Sequence, residues 1–186
     1  KLVNPLAAEL KRLAAQKNYD AKGTVNFTAS FVQNLKYEPD AAGEYPKYPV
    51  ETLYDKGSDC EDLSILTASL LQSMGYDAVL IRYTPATGAG HMAVGVAVTG
   101  VSGGYSYTHN GRTYYYLETT SVWPVGDMPP EILSKYGGKA DAIYDLVAAP
   151  ALRFSGKLEY TQSFKSLDVS VTVTNWGTAD ANGFYV

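Results

Sequence analysis

One cysteine and two histidines limit the nucleophilic chemistry this 186-residue chain can do. Cys60 lies in GSDCEDLSIL, residues 57–66, with Asp59 before it and Glu61 and Asp62 after it. A thiol attacks as thiolate, and a free pKa of ~8.5 means that it needs help at neutral pH, from helix N-terminal amides or a nearby imidazolium. The run SDCE, Ser58 to Glu61, fits the S-x-x-E capping box. A box there places Cys60 in the first helical turn, beside unpaired N–H groups that can also hold an oxyanion. The three acids act against a thiolate unless their side chains are aimed elsewhere. Taken alone, a lone cysteine reads as a small core residue.

Two further residues change that weighting. His91 opens an alternating run, HMAVGVAV, just after a glycine-rich stretch. Glu118 lies on the tyrosine-rich run YYYLETT that follows. A nucleophile on a helix, a base on one strand and an acid on the next is the general arrangement in which the acid orients an imidazole and stabilises its charged form. Each residue alone is weak. The order of the three carries the reading.

Elements must hold these residues in place. Residues 4–18 read as a helix, with Asn4 as cap, Pro5 at the first helical position and Leu6, Leu10 and Leu13 at helical spacing. Residues 24–37 are a second helix, with Phe27, Phe31 and Leu35 four apart. The Pro-, Gly- and Tyr-rich stretch from Glu38 to Asp59 reads as an ordered loop leading to the cysteine, in which Glu51 holds backbone groups. After Cys60, the stripe Leu63, Leu66, Leu70, Leu71 and Met74 marks a helix that Gly75 ends. Residues 77–83 make a short strand. In residues 91–98, Met92, Val94, Val96 and Val98 face one way and His91, Ala93, Gly95 and Ala97 the other. That second face is small enough for a helix or loop to approach closely. Asn110-Gly111 is a hairpin turn into a strand running to Thr120. Residues 121–133 form a loop that starts a short helix.

At these residues the chain resembles the transglutaminase-like superfamily, the circularly rearranged relatives of papain. The resemblance spans about Phe27 to Pro129, carried by FVQNLKYEPD, YPKYPVETL, GSDCEDLSILTASLLQSMGYDAVLI, GHMAVGVAV and YYYLETT. It implies an α+β, papain/transglutaminase-like fold, with N-terminal helices and a catalytic helix packed on an antiparallel β-sheet. Cys60 is then the nucleophile, His91 the general base and acid, and Glu118 the orienting acid, where the superfamily more often has Asp. Gln33 becomes an oxyanion donor by the same resemblance. The implied activity is acyl transfer on peptide or carboxamide substrates through a Cys60 thioester, with hydrolysis favoured over cross-linking. From about Ser166 the chain resembles the opening of a CARDB-like β-sandwich. The expected domains are therefore residues 1–160, transglutaminase-like, and 161–186, a linker with truncated first strands.

A second class of function stays open at this point: a non-catalytic surface module for peptide or glycan. Its groove residues are Tyr48, Tyr54, Tyr114 and Trp123, with Tyr45 near them. His109, beside the Asn-Gly turn, reads as a solvent-exposed surface residue. The net charge of -4 excludes a basic nucleic-acid footprint. No apolar run approaches the ~18–20 residues that span a bilayer, and one cysteine excludes a disulfide within the chain. No metal or cofactor is expected. The 16 tyrosines and 17 glycines, against only 15 Lys plus Arg, suggest an exported or cell-surface multidomain protein acting on protein, peptide or a surface polymer.

Overall fold

A computed structural model describes residues 2–39 and 45–147, and the backbone of residues 152–155 and 172–175. Contacts divide the chain into a unit running from Leu2 to Leu146 and a second from Val147 to Val186. The first unit opens with α1 (Val3–Gln16) and α2 (Ala21–Gln33). Helix α1 starts two residues earlier than its sequence suggests, because Leu2 rather than Asn4 occupies the cap position, without a side-chain cap. Asn4 is instead inside the first turn, where its Oδ1 accepts from Ser73 Oγ at 3.0 Å. Helix α2 is capped by Asp20, which accepts from Gly23 N at 2.7 Å, and so begins and ends about three residues before the expected span.

The loop before the cysteine holds more structure than its composition suggests. Strand β1 (Lys36–Tyr37) pairs in parallel with β2 (Gly57–Ser58), on either side of α3 (Pro49–Asp55). A Cβ at Gly57 would lie 2.6 Å from the Lys36 carbonyl oxygen, so this approach requires glycine. Glu51 Oε2 accepts from Tyr48 N at 2.9 Å and holds the α3 start, as expected of it.

Helix α4 (Cys60–Ser73) follows, with Leu63, Leu66, Leu70 and Leu71 buried, and ends into Gly75 at φ +95°. Strands β3 (Asp77–Tyr83), β4 (His91–Ala97), β5 (Ser106–His109) and β6 (Arg112–Leu117) come next. Then come α5 (Pro130–Tyr136) and β7 (Ala142–Asp145). Strands β3 to β7 make one antiparallel sheet in the order β5-β6-β4-β3-β7. Asn110 and Gly111, at φ 49° and 75°, form the expected two-residue turn between β5 and β6.

The two faces of β4 are covered differently from expectation. Val94 and Val96 pack against Val25, Ala29, Ala68 and Leu71 of α2 and α4, so the larger residues meet the helices. The small-residue face is covered by tyrosines: Ala93 clusters with Tyr83, Tyr114 and Tyr116. Gly95 is needed there, since a Cβ would come within 2.8 Å of Val79 and 3.1 Å of Tyr114. The fold is thus α+β, with α2 and α4 packed on one face of an antiparallel sheet and the short α5 on the tyrosine face.

In the second unit, β8 (Leu152–Ser155) pairs antiparallel with β9 (Thr172–Asn175). The expected boundary after residue 160 and most of the CARDB-like segment lie outside the described residues.

Candidate active site

The approach to Cys60 starts at the β1–β2 bridge, where Tyr37 is in register with Ser58. Glu38 N donates to Ser58 O at 3.0 Å and holds this edge to the residues just before the helix. The cap of α4 is Asp59 rather than Ser58: its Oδ1 accepts from Asp62 N at 3.3 Å, and Cys60 is the first helical residue. Both residues are good caps; Ser58 is taken up by the bridge to β1 and by Lys47 Nζ, which donates to its Oγ at 3.0 Å. The expected place of Cys60, at the positive end of a helix, is therefore met by a cap one residue later.

Two of the flanking acids are occupied. Asp59 caps the helix, and buried Asp62 accepts from Lys47 N at 2.6 Å while its second oxygen lies 3.6 Å from Lys47 Nζ. Glu61 lines the cleft beside Cys60. Asp59, Glu61 and Asp62 bring carboxylate oxygens within 4.8 Å of one another, and among the described residues these are the groups that could hold a cation. Lys47 already counters part of that charge.

His91 and Glu118 meet where β4 begins, beside the residue after β6. His91 Nε2 lies 3.1 Å from Glu118 Oε2, and both side chains are buried. Glu118 receives four other bonds. Tyr116 OH donates to Oε2, and Oε1 accepts from Thr119 N at 2.9 Å, Thr120 N at 2.9 Å and Thr120 Oγ1 at 2.8 Å. Burial alone raises a carboxyl pKa, but these donors and His91 hold Glu118 well below the usual range. His91 goes the other way. Burial opposes its charged form, yet hydrogen bonds with Cys60 and Glu118 raise it to about 9. With Nε2 given to Glu118, Nδ1 is the ring nitrogen left for the thiol.

Ser64, one turn into α4, ties these parts together. Its Oγ donates to Met92 O at 3.1 Å, next to His91, and lies 3.0 Å from Thr119 Oγ1, next to Glu118. One hydroxyl therefore fixes the helix to the strand of the base and to the turn of the acid. Its signal in the sequence is a serine set between apolar residues, Leu63 and Ile65.

Gln33 is buried but is not placed as an oxyanion donor. Its Nε2 donates to Glu118 O at 2.9 Å and to Trp123 O at 3.0 Å, which engages both amide protons. It holds the segment of the acid instead.

A cleft of about 470 Å³ opens at Cys60 and His91, lined also by Tyr37, Pro39, Arg82 and Gly90. None of the four expected groove residues lines it. Tyr114 is buried beneath the sheet, donating to Asp77 Oδ2 at 3.1 Å. Tyr48 and Tyr54 are exposed elsewhere, and Trp123 contributes only its carbonyl, to Gln33. Tyr37 takes the place expected of them, brought there by the β1–β2 register.

A family described as a transglutaminase-like domain matches residues 5–102, just over half of the chain. The chain belongs to this transglutaminase-like family. The match takes in Cys60 and His91 and stops before Glu118. Among solved structures the domain is similar to LapG of Legionella pneumophila, at 17% identity and a TM-score of 0.49, over 76% of this chain and 85% of that one. It is also similar to a candidate cysteine protease of Cytophaga hutchinsonii, at 11% identity and a TM-score of 0.46, over 97% of this chain and 55% of that one. No curated protein matches the sequence.

Proposed function

We propose that this transglutaminase-like domain is a cysteine hydrolase that cleaves peptide or carboxamide bonds through a Cys60 thioester. The observation that carries this is the buried His91–Glu118 pair, at 3.1 Å, whose histidine lines one cleft with a thiol at a helix start. Cys60 Sγ, its proton held on His91 Nδ1, attacks the carbonyl carbon. The N–H groups of the first helical turn face the charge that develops on the oxygen. His91 then gives its proton to the leaving nitrogen, the C–N bond breaks and the thioester remains. Water attacks the thioester, His91 takes a proton from it, and the acid leaves as the Cys60 thiolate is restored. Glu118 stays ionised throughout and fixes the imidazole tautomer.

Hydrolysis is favoured over amine transfer because the cleft is open to water at Cys60, which is itself half-buried rather than enclosed. The partner is a protein or peptide, presented outside the cell or on its surface; the tyrosine- and glycine-rich composition supports that placement.

Alkylation tests the reading. Cys60 should react with iodoacetamide well below pH ~8.5, the free thiol value, and His91→Ala should remove that enhancement. A thiol that reacts only after unfolding would contradict it. Mass-spectrometric profiling of a peptide library, with and without an added amine, then separates cleavage from cross-linking.

A further inference from the structure

Helix α5 lies beyond the matched part of the family and bears no reacting group, yet its last residue reaches the imidazole. The Tyr136 ring stacks on His91 with centroids 5.9 Å apart and planes inclined by 23°. Tyr83 abuts the same imidazole at 6.2 Å and 29°. The two tyrosines are 5.9 Å from each other, so the three rings form a triangle rather than a sandwich. Tyr136 is also tethered. Its hydroxyl donates to Ala89 O at 3.1 Å, and Lys135 Nζ donates to the same carbonyl at 3.2 Å. Ala89 and Gly90 form the cleft rim next to His91. Gly137, at φ +66°, stops the helix just after the tyrosine.

An aromatic face attracts a cation within ~6 Å of its centroid, and more strongly where water is excluded. A neutral imidazole gains much less. Resting on the acyl-transfer reading above, we propose that Tyr136 is a positioning residue for the Cys60–His91 pair: its ring holds the imidazolium against Tyr83, and its hydroxyl ties that ring to the cleft rim at Ala89. Other groups act on the same imidazole. Cys60 and Glu118 face its nitrogens, and Tyr83 faces its ring. Lys135 Nζ stands 5.0 Å over the Tyr136 ring, and Asp59, Glu61 and Arg82 edge the cleft. Cys60, Glu118, Asp59, Glu61 and Arg82 keep their own contacts when Tyr136 changes, and Lys135, which loses the ring beneath it, still has its bond to Ala89 O.

The side chain chosen for the test must keep water out. Exposure would raise the histidine pKa by relieving the burial that lowers it, and so mask the loss of the ring. Tyr136→Leu keeps apolar cover and removes the π face; Tyr136→Phe keeps the face and removes the tether. His91 is followed by NMR in a His109→Gln background, where it is the sole histidine, and Cys60 alkylation by iodoacetamide is measured alongside at about pH 7. Tyr136→Leu should lower the His91 midpoint by roughly one unit and slow alkylation by on the order of 3- to 10-fold. Tyr136→Phe should stay within about 2-fold of wild type. A folded Leu variant that titrates and alkylates like wild type overturns the role. If that variant does not fold, Tyr136→Met, of similar reach, gives the same two readings and the same two outcomes. Failure of the parent reading shows elsewhere, in a wild-type protein whose His91 titrates near its ordinary value and whose thiol is indifferent to His91→Ala.

Discussion

The protein has two histidines, and each lies 3.1 Å from a carboxylate oxygen. His91 and Glu118 are side chains with 7% and 0% exposure; His109 and Asp145 have 22% and 59%. Distance therefore does not separate a candidate site from a surface contact. What separates them is the treatment of the acid. Glu118 is surrounded by the Tyr116 hydroxyl, two backbone amides and the Thr120 hydroxyl, all donating to it. Among the described residues, the Asp145 carboxylate receives His109 and a weak contact at 3.5 Å from Asn110, in water. An anion fixed by protein donors keeps its charge and its position when a neighbouring group changes protonation; a solvated one is screened and mobile.

The largest effect expected from this contrast is on the thiol. His91→Ala should cut iodoacetamide labelling of Cys60 at about pH 6 by on the order of 100-fold or more, while His109→Ala leaves the rate within about 2-fold. Equal losses in both would erase the distinction. Stability should divide next. Glu118→Gln breaks a buried charged pair and is expected to cost about 3–5 kcal/mol in urea unfolding, against about 0–1 kcal/mol for Asp145→Asn.

The pH dependence follows from the signs. His91 is raised to about 9, so its contribution is complete below its unfolded value of ~6.5 and is lost as pH rises through 9. Glu118 is depressed to about 2, so its contribution is complete above the ordinary carboxylate range and is lost as pH falls through that value. Thermal melts should therefore decline between near-neutral pH and about pH 9. His91→Gln should flatten that decline and His109→Gln should leave it. The smallest effect belongs to Ser64→Ala, which removes the donor to Met92 O and should cost about 1 kcal/mol. Its alkylation rate should change by only a few fold, since the His91–Glu118 contact does not pass through Ser64.

What the sequence made legible was local. The α4 stripe, the β4 alternation and the Asn110-Gly111 turn each follow from spacing and backbone preference within a few residues. The order of Cys60, His91 and Glu118 could be read because each sits at an element start or end. The misread parts depend on pairing between distant segments. Gln33 reads as an oxyanion donor by resemblance because nothing local shows that Glu118 and Trp123 present carbonyls to it. Tyr37 gained its place from a two-residue parallel bridge, too short to leave a pattern. The β7 run AIYD carries no alternation of its own and forms a strand because β3 offers it an edge. The tyrosines expected to line a groove were judged by residue type, whereas strand parity decided that Tyr114 faces inward.

The sheet order β5-β6-β4-β3-β7 has a practical result for anyone trimming this domain. Both outer flanks of the β3–β4 pair come from residues after 102, where the family match ends. A fragment stopped there would retain Cys60 and His91 yet lose every strand that covers β3 and β4. Two apolar ribbons would then offer open hydrogen-bonding rims to one another, which is a template for aggregation. A minimal expression boundary therefore falls beyond β7, and soluble yield should collapse well before the nucleophile itself is lost.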